Sequence, residues 1–102
     1  MNDLEMILFN IISTVGSARS MYINAVREAK KGNINEAKKL IKDGEEIFAQ
    51  GHKAHSELIQ KDSAGELKEI TLLLVHAEDQ LMSAEGLNIV ANELIDVYER
   101  IS

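Results

Sequence analysis

The chain has 102 residues, a net charge of −6 from 17 acidic against 11 basic side chains, and 45% hydrophobic residues. That length holds one domain (1–102) around one core, the apolar share excludes a disordered chain, and the negative balance argues against a nucleic-acid or anionic-membrane surface. Proline and cysteine are absent, which leaves helices uninterrupted, removes disulfides and thiolate metal sites, and favours a reducing compartment.

In chain order, Met1-Asn2-Asp3-Leu4-Glu5 is acidic where a signal peptide would be basic, and an apolar run such as Leu72–Val75 is far too short to span a bilayer. The expectation is a cytoplasmic protein without membrane insertion. A first helix is predicted near 3–31. Its apolar positions Leu4, Leu8, Ile11, Val15, Ala18, Tyr22, Ala25 and Ala29 alternate steps of four and three, the period of nearly parallel, left-handed helix packing. Gly32 follows Lys30-Lys31 as a helix-ending glycine, and Asn33 with Glu36 three residues on reads as a capping-box start.

A second helix near 34–61 carries Ala37, Ile41, Gly44, Phe48, Gly51, His55 and Leu58 on one stripe. Glycine inside a helix costs about 1 kcal/mol relative to alanine, so Gly44 and Gly51 on the core stripe imply close backbone approach. The basic residues Arg27, Lys30, Lys31, Lys38, Lys39 and Lys42 are interleaved with Glu28, Glu36 and Asp43 and read as a solvated helix hairpin. His52 and His55, three apart, have a metal-ligand spacing, but without a clear carboxylate partner they read as core or interface residues.

Ser63-Ala64-Gly65-Glu66 repeats the start signal, so a third helix is predicted near 64–101 after a very short loop. The fold class is all-α, an antiparallel three-helix bundle. The third helix has two apolar stripes. One is Ile70, Leu73, Leu74, Ala77, Leu81, Ala84, Ala91, Leu94, Ile95 and Tyr98; the other is Leu72, Val75, Asp79, Met82, Gly86 and Ile89. At about 100° per residue they lie on nearly opposite sides. Two neighbouring helices can cover only one, so the other calls for further copies of the chain and an obligate homo-oligomer built around the third helix.

Asp79 interrupts that second stripe, where a lone buried carboxylate is costly. It can be protonated, act as a polar register-setting residue, or bind a cation shared between copies on a symmetry axis. His76 lies one turn before Asp79, about 60° round the helix, and Gln80 follows one turn later on its own face. Gln80 could hydrogen-bond the imidazole and orient it. A histidine at an interface edge also has a purely structural reading. The polar cluster within an otherwise apolar segment, Leu72-Leu73-Leu74-Val75-His76-Ala77-Glu78-Asp79-Gln80-Leu81-Met82, is what favours chemistry.

The segment His76-Ala77-Glu78-Asp79-Gln80-Leu81-Met82 resembles the phosphorylation site of the enzyme IIA component of the lactose/cellobiose (chitobiose) family of the sugar phosphotransferase system. The likeness continues in Gly16-Ser17-Ala18-Arg19-Ser20, in the turn Ala29-Lys30-Lys31-Gly32-Asn33, in His52-Lys53-Ala54-His55-Ser56-Glu57-Leu58-Ile59-Gln60 and in Ala64-Gly65. The resemblance implies a trimer of three-helix protomers. It implies that His76 accepts phosphate from the histidine phosphocarrier HPr, as a tele-phosphohistidine, and passes it to a cysteine of enzyme IIB, which phosphorylates an incoming disaccharide such as lactose, cellobiose or chitobiose. It further implies that one Asp79 per protomer binds a divalent cation, Mg2+, on the threefold axis. Neutral imidazole is nucleophilic near pH 7, so a phosphoryl group can move onto and off a histidine.

The sequence departs from the family pattern at Glu78, where an amide is usual, at Gln80, where a ring is common, at His55-Ser56 in place of glutamine-threonine, and at Asp62-Ser63 in place of glutamate-alanine. An anion at Glu78 opposes phosphate binding. It points about 160° from His76 on the same helix, so its effect is expected from a neighbouring protomer. Two other readings fit an all-helical oligomer: a non-catalytic scaffold or adaptor, which leaves His76 and Gln80 unexplained, and a histidine phosphotransfer domain of two-component signalling. The latter usually has a lysine and a glycine shortly after its histidine, and Ala77-Glu78-Asp79-Gln80 supplies neither.

Overall fold

The structure, a computed structural model, describes residues 1–102. Three long helices, α1 (Asp3–Lys30), α2 (Ile34–Ser63) and α3 (Leu72–Ile101), form an antiparallel bundle 52 × 19 × 17 Å. A 30-residue helix is about 45 Å long, so each helix runs nearly the full length of the molecule.

Helix α1 is central. It has the length and apolar composition of a bilayer-crossing segment, and its place in the bundle accounts for that. Leu8, Ile11, Val15, Ala18, Tyr22, Ala25 and Ala29 are all buried between α2 and α3, as the alternating stripe predicts. Half of the buried hydrophobic residues of the chain are alanines, so the helices approach closely. Gly44 and Gly51 follow the same logic. A Cβ at Gly51 would lie 2.5 Å from Thr14 Oγ1 and 2.7 Å from Val15 Cγ1, and one at Gly44 would lie 2.7 Å from the Tyr22 ring. The expected close approach of α1 and α2 occurs at both glycines.

Both interhelix turns end the preceding helix in the same way. Gly32 and Gly65 have φ of +93° and +73°, the left-handed conformation that glycine adopts without a Cβ penalty. Each turn closes with paired backbone bonds, Asn33 N–H to Glu28 O (2.9 Å) with Gly32 N–H to Ala29 O (3.0 Å), and Glu66 N–H to Lys61 O (2.9 Å) with Gly65 N–H to Asp62 O (3.0 Å). This is the Schellman arrangement.

Two expectations need correction. Asn33 precedes α2 but caps it with no side-chain bond; its amide donates back to Glu28 Oε2 at 2.8 Å. That bond holds the Glu28 carboxyl below its ordinary 4.5, with Lys31 reinforcing it. The third helix also begins at Leu72, not near residue 64. Ser63-Ala64-Gly65-Glu66 mimics a capping box, yet Gly65 in the left-handed conformation makes it a helix end. Residues 66–71 are irregular, Leu67 packs onto the core, and Thr71 caps α3 by accepting from Leu74 N–H at 3.2 Å. Ile70, predicted on the core stripe, lies before the helix and is 82% exposed.

On α3 the first stripe is buried at Ala77, Leu81, Ala84, Ala91 and Ile95. The second stripe is uncovered in the protomer: Leu72, Val75, Met82 and Ile89 are exposed, and the apolar surface continues through Val90, Val97 and Ile101.

Candidate functional site

His76 sits in the second turn of α3, which Thr71 starts and Ala77 anchors. Ala77 is fully buried in a cluster with Leu8, Ile11, Val15, Ala54, Leu58 and Leu81. The residue before it in sequence therefore falls on the surface flank, and the His76 imidazole is exposed. Exposed Leu72 lies one turn before it, and exposed Val75 and Met82 lie to one side, about 100–120° round the helix. An exposed imidazole on a rigid helix, beside apolar surface, is accessible to a group that reaches it from solvent, and imidazole can act as a nucleophile.

Gln80 is partly buried one turn beyond His76. The side-chain hydrogen bonds of α3 within the bundle belong to Glu78, Asn88, Asn92 and Glu99, so the protomer brings no amide to the His76 ring. Asp79 is exposed on the uncovered stripe. No group of three or more His, Asp or Glu side chains converges within the protomer, so a cation at Asp79 would need its other ligands from further copies of the chain. A carboxylate oxygen suits a hard divalent cation such as Mg2+.

Glu78 has a partner that sequence reasoning did not identify. His55 Nε2 on α2 lies 2.5 Å from Glu78 Oε1. A carboxylate only accepts, so Nε2 carries the hydrogen and donates it. The His55 side chain is 15% exposed and that of Glu78 is 40% exposed, at the edge of an open groove of about 650 Å³ between the end of α2 and the start of α3. Two of the positions where the sequence leaves the family pattern are thus partners across α2 and α3. The sequence held no signal that joins them, because which residue of α2 faces Glu78 depends on how the two helices pack. His52 takes no part: it is exposed on α2 beside Phe48, ring centroids 6.4 Å apart.

Comparison with known proteins places these features in context. Residues 6–99 match the family model described as the lactose/cellobiose-specific IIA subunit of the PTS system. The chain is 41% identical over 100 residues to the lichenan-specific phosphotransferase enzyme IIA component of Bacillus subtilis strain 168, covering 98% of this chain and 91% of that protein. Its fold matches the crystal structure of the PTS cellobiose-specific enzyme IIA from Bacillus anthracis, with a TM-score of 0.94, 38% identity, and coverage of 99% and 93% of the two chains. It also matches the solution structure of the Escherichia coli IIA(chitobiose)–HPr complex, with a TM-score of 0.84, 28% identity, and coverage of 99% and 98%.

Proposed function

The chain belongs to the lactose/cellobiose-specific IIA family of the phosphotransferase system, and from that premise we propose that it is a cytoplasmic phosphocarrier whose nucleophile is His76. The observation that carries this reading is the exposed imidazole of His76, set by the buried Ala77 on a rigid helix and bordered by accessible apolar surface. A ring nitrogen of His76, the tele nitrogen Nε2, attacks the phosphorus of phospho-HPr. The bond from phosphorus to the donor's imidazole breaks as the bond to His76 forms. A cysteine thiolate of enzyme IIB then attacks the same phosphorus, so the P–N bond breaks, a P–S bond forms and the imidazole is regenerated. Such transfers need positioning and charge stabilisation more than bond-making by the protein. The relative of known structure in complex with HPr supports HPr as donor. Gln80 orients the imidazole only if assembly or partner docking brings the two together.

The exposed stripe supports a homotrimer. Leu72, Val75, Asp79, Met82, Gly86 and Ile89 recur in steps of three and four, the spacing of a seam that packs on copies of itself. In such an assembly Asp79 of each protomer would lie on the axis, where three carboxylates repel one another and would hold Mg2+. When bound, such a cation would neutralise the carboxylate charge of that seam. The sugar served is a disaccharide or short β-linked oligosaccharide, which the carrier itself never contacts.

The test is incubation with HPr and its phosphate donor. Phosphate should appear on His76, labile to acid and stable to base. His76→Ala should lose uptake completely while keeping its helicity and its assembled mass. Wild-type uptake by that variant, or labelling only by a sensor kinase, overturns the reading.

A further inference from the structure

Helices α2 and α3 are joined across their exposed edge by three polar bridges: Lys38 to Glu99 at 3.1 Å, Asn88 to Glu45 at 3.1 Å, and His55 to Glu78 at 2.5 Å. The first two lie along the half of the bundle remote from His76. The third lies within a turn of His76, and the His55 side chain is more shielded than either partner of the Lys38–Glu99 pair. Glu78 carries an anion two residues from the proposed phosphoryl acceptor. Two residues along a helix are about 3 Å of rise, so even on the opposite face this charge lies near a Debye length, about 8–10 Å, of an incoming phosphoryl group. Its own helix offers it no cation at the i±3 or i±4 positions: those are Val75, Leu74, Leu81 and Met82. A hydrogen-bond donor has to come from another element, and His55 Nε2 on α2 provides it.

We propose that His55 is a positioning residue for phosphoryl acceptance at His76: by donating from Nε2 to Glu78 it holds that carboxylate against α2 and keeps its charge from opposing the arriving phosphoryl group. This rests on the reading of His76 as acceptor. His55 touches neither donor nor phosphate and acts only through Glu78. Without it, the flexible Glu78 side chain is released from α2 and free to approach the phosphoryl group. With Glu78 neutral, His55 has nothing to restrain.

The experiment measures KM and kcat for phospho-HPr, at low and high salt, with wild type, His55→Leu, Glu78→Gln and the double variant, each checked by thermal melt. Leucine keeps most of the side chain's bulk and removes the donor. His55→Leu should raise KM about 2- to 5-fold at low ionic strength, the order expected of a carboxylate free to approach the phosphoryl group, and the increase should shrink as salt rises. Glu78→Gln should not raise KM, and the double variant should return to the Glu78→Gln value. A purely structural role would instead lower kcat or melting temperature regardless of salt, and the double variant would stay impaired; that result overturns the proposal. If His55→Leu does not fold, a raised KM in a folded Glu78→Gln overturns it alone. Failure of wild type to take phosphate on His76 overturns the underlying reading and this proposal with it, whereas normal wild-type uptake with unchanged KM in His55→Leu overturns only the role of His55.

Discussion

Tyr22 illustrates what burial does to one polar side chain in an alanine-rich core. It is 1% exposed, and burial pushes its hydroxyl above the ordinary 10.0, with Glu45 reinforcing the shift and the Asn88 amide opposing it. The unfolded chain therefore releases this proton first. Stability from Tyr22 is fully present below about pH 10 and falls as pH rises from there through the folded value. Thermal midpoints at about pH 8 and about pH 10.5 should consequently drop more for wild type than for Tyr22→Phe. All other ionisable groups are common to both proteins, so the difference isolates Tyr22; equal drops would refute the assignment. His76 is the opposite case at the same scale: it is exposed, and its buried neighbour Ala77 does the anchoring.

At the scale of the element, the α1–α2 contact depends on glycine where most helices have alanine. A methyl at Gly51 meets Thr14 and Val15, whose β-branched side chains have little rotameric freedom. Overpacking costs about 1–3 kcal/mol and exceeds the roughly 1 kcal/mol gained in helix propensity. Gly51→Ala should therefore lower stability by about 1–2 kcal/mol. A methyl at Gly16 on α1 would meet no atom within 4 Å, so Gly16→Ala should raise stability by about 0.4–1 kcal/mol. Denaturant titration of both variants checks the signs, and a stabilised Gly51→Ala would contradict the close helix approach. The start of α3 teaches a related point: the same four residues, 63–66, satisfy a start pattern and an end pattern, and the backbone conformation of Gly65 selects the end.

At the scale of the whole molecule, the uncovered stripe of α3 is the dominant fact. Each fully buried Leu, Val, Ile or Met side chain is worth about 1.5–3 kcal/mol, so Leu72, Val75, Met82 and Ile89 together provide ample drive for assembly. Sedimentation should give close to three times the protomer mass of 11.3 kDa, and a soluble, well-folded monomer would sink the assembly. The proposed axial cation has a separate signature. Chelator should lower the wild-type melting temperature, Asp79→Asn should weaken divalent-ion binding, and Asp79→Leu should melt higher than wild type, because packed apolar volume in place of buried charge is often favourable. A wild type indifferent to chelator beside a destabilised Asp79→Leu would rule out the metal and leave His76 chemistry intact.

The sequence alone determined the three-helix class, the buried stripe of α1, most of those of α2 and α3, and the close approach at Gly44 and Gly51. These are local properties: helical period and glycine content are written within one or two turns, and a bundle of short-looped helices has few alternatives. The helix ends at Gly32 and Gly65 were legible in part, since a glycine turn is a local signal but its role as end or start depends on the dihedral angle adopted. The motif around His76 was legible through family likeness. Only the tertiary structure decided that Glu78 meets His55, that Ile70 stands outside the helix, and that the exposed surface of α3 runs on through Val97 and Ile101. Which residues of α2 face which residues of α3 depends on the axial register and rotation of two helices 23 residues apart in sequence at the His55–Glu78 contact. Register and rotation are set by how side chains of all three helices fill the core together, and no single segment contains that information.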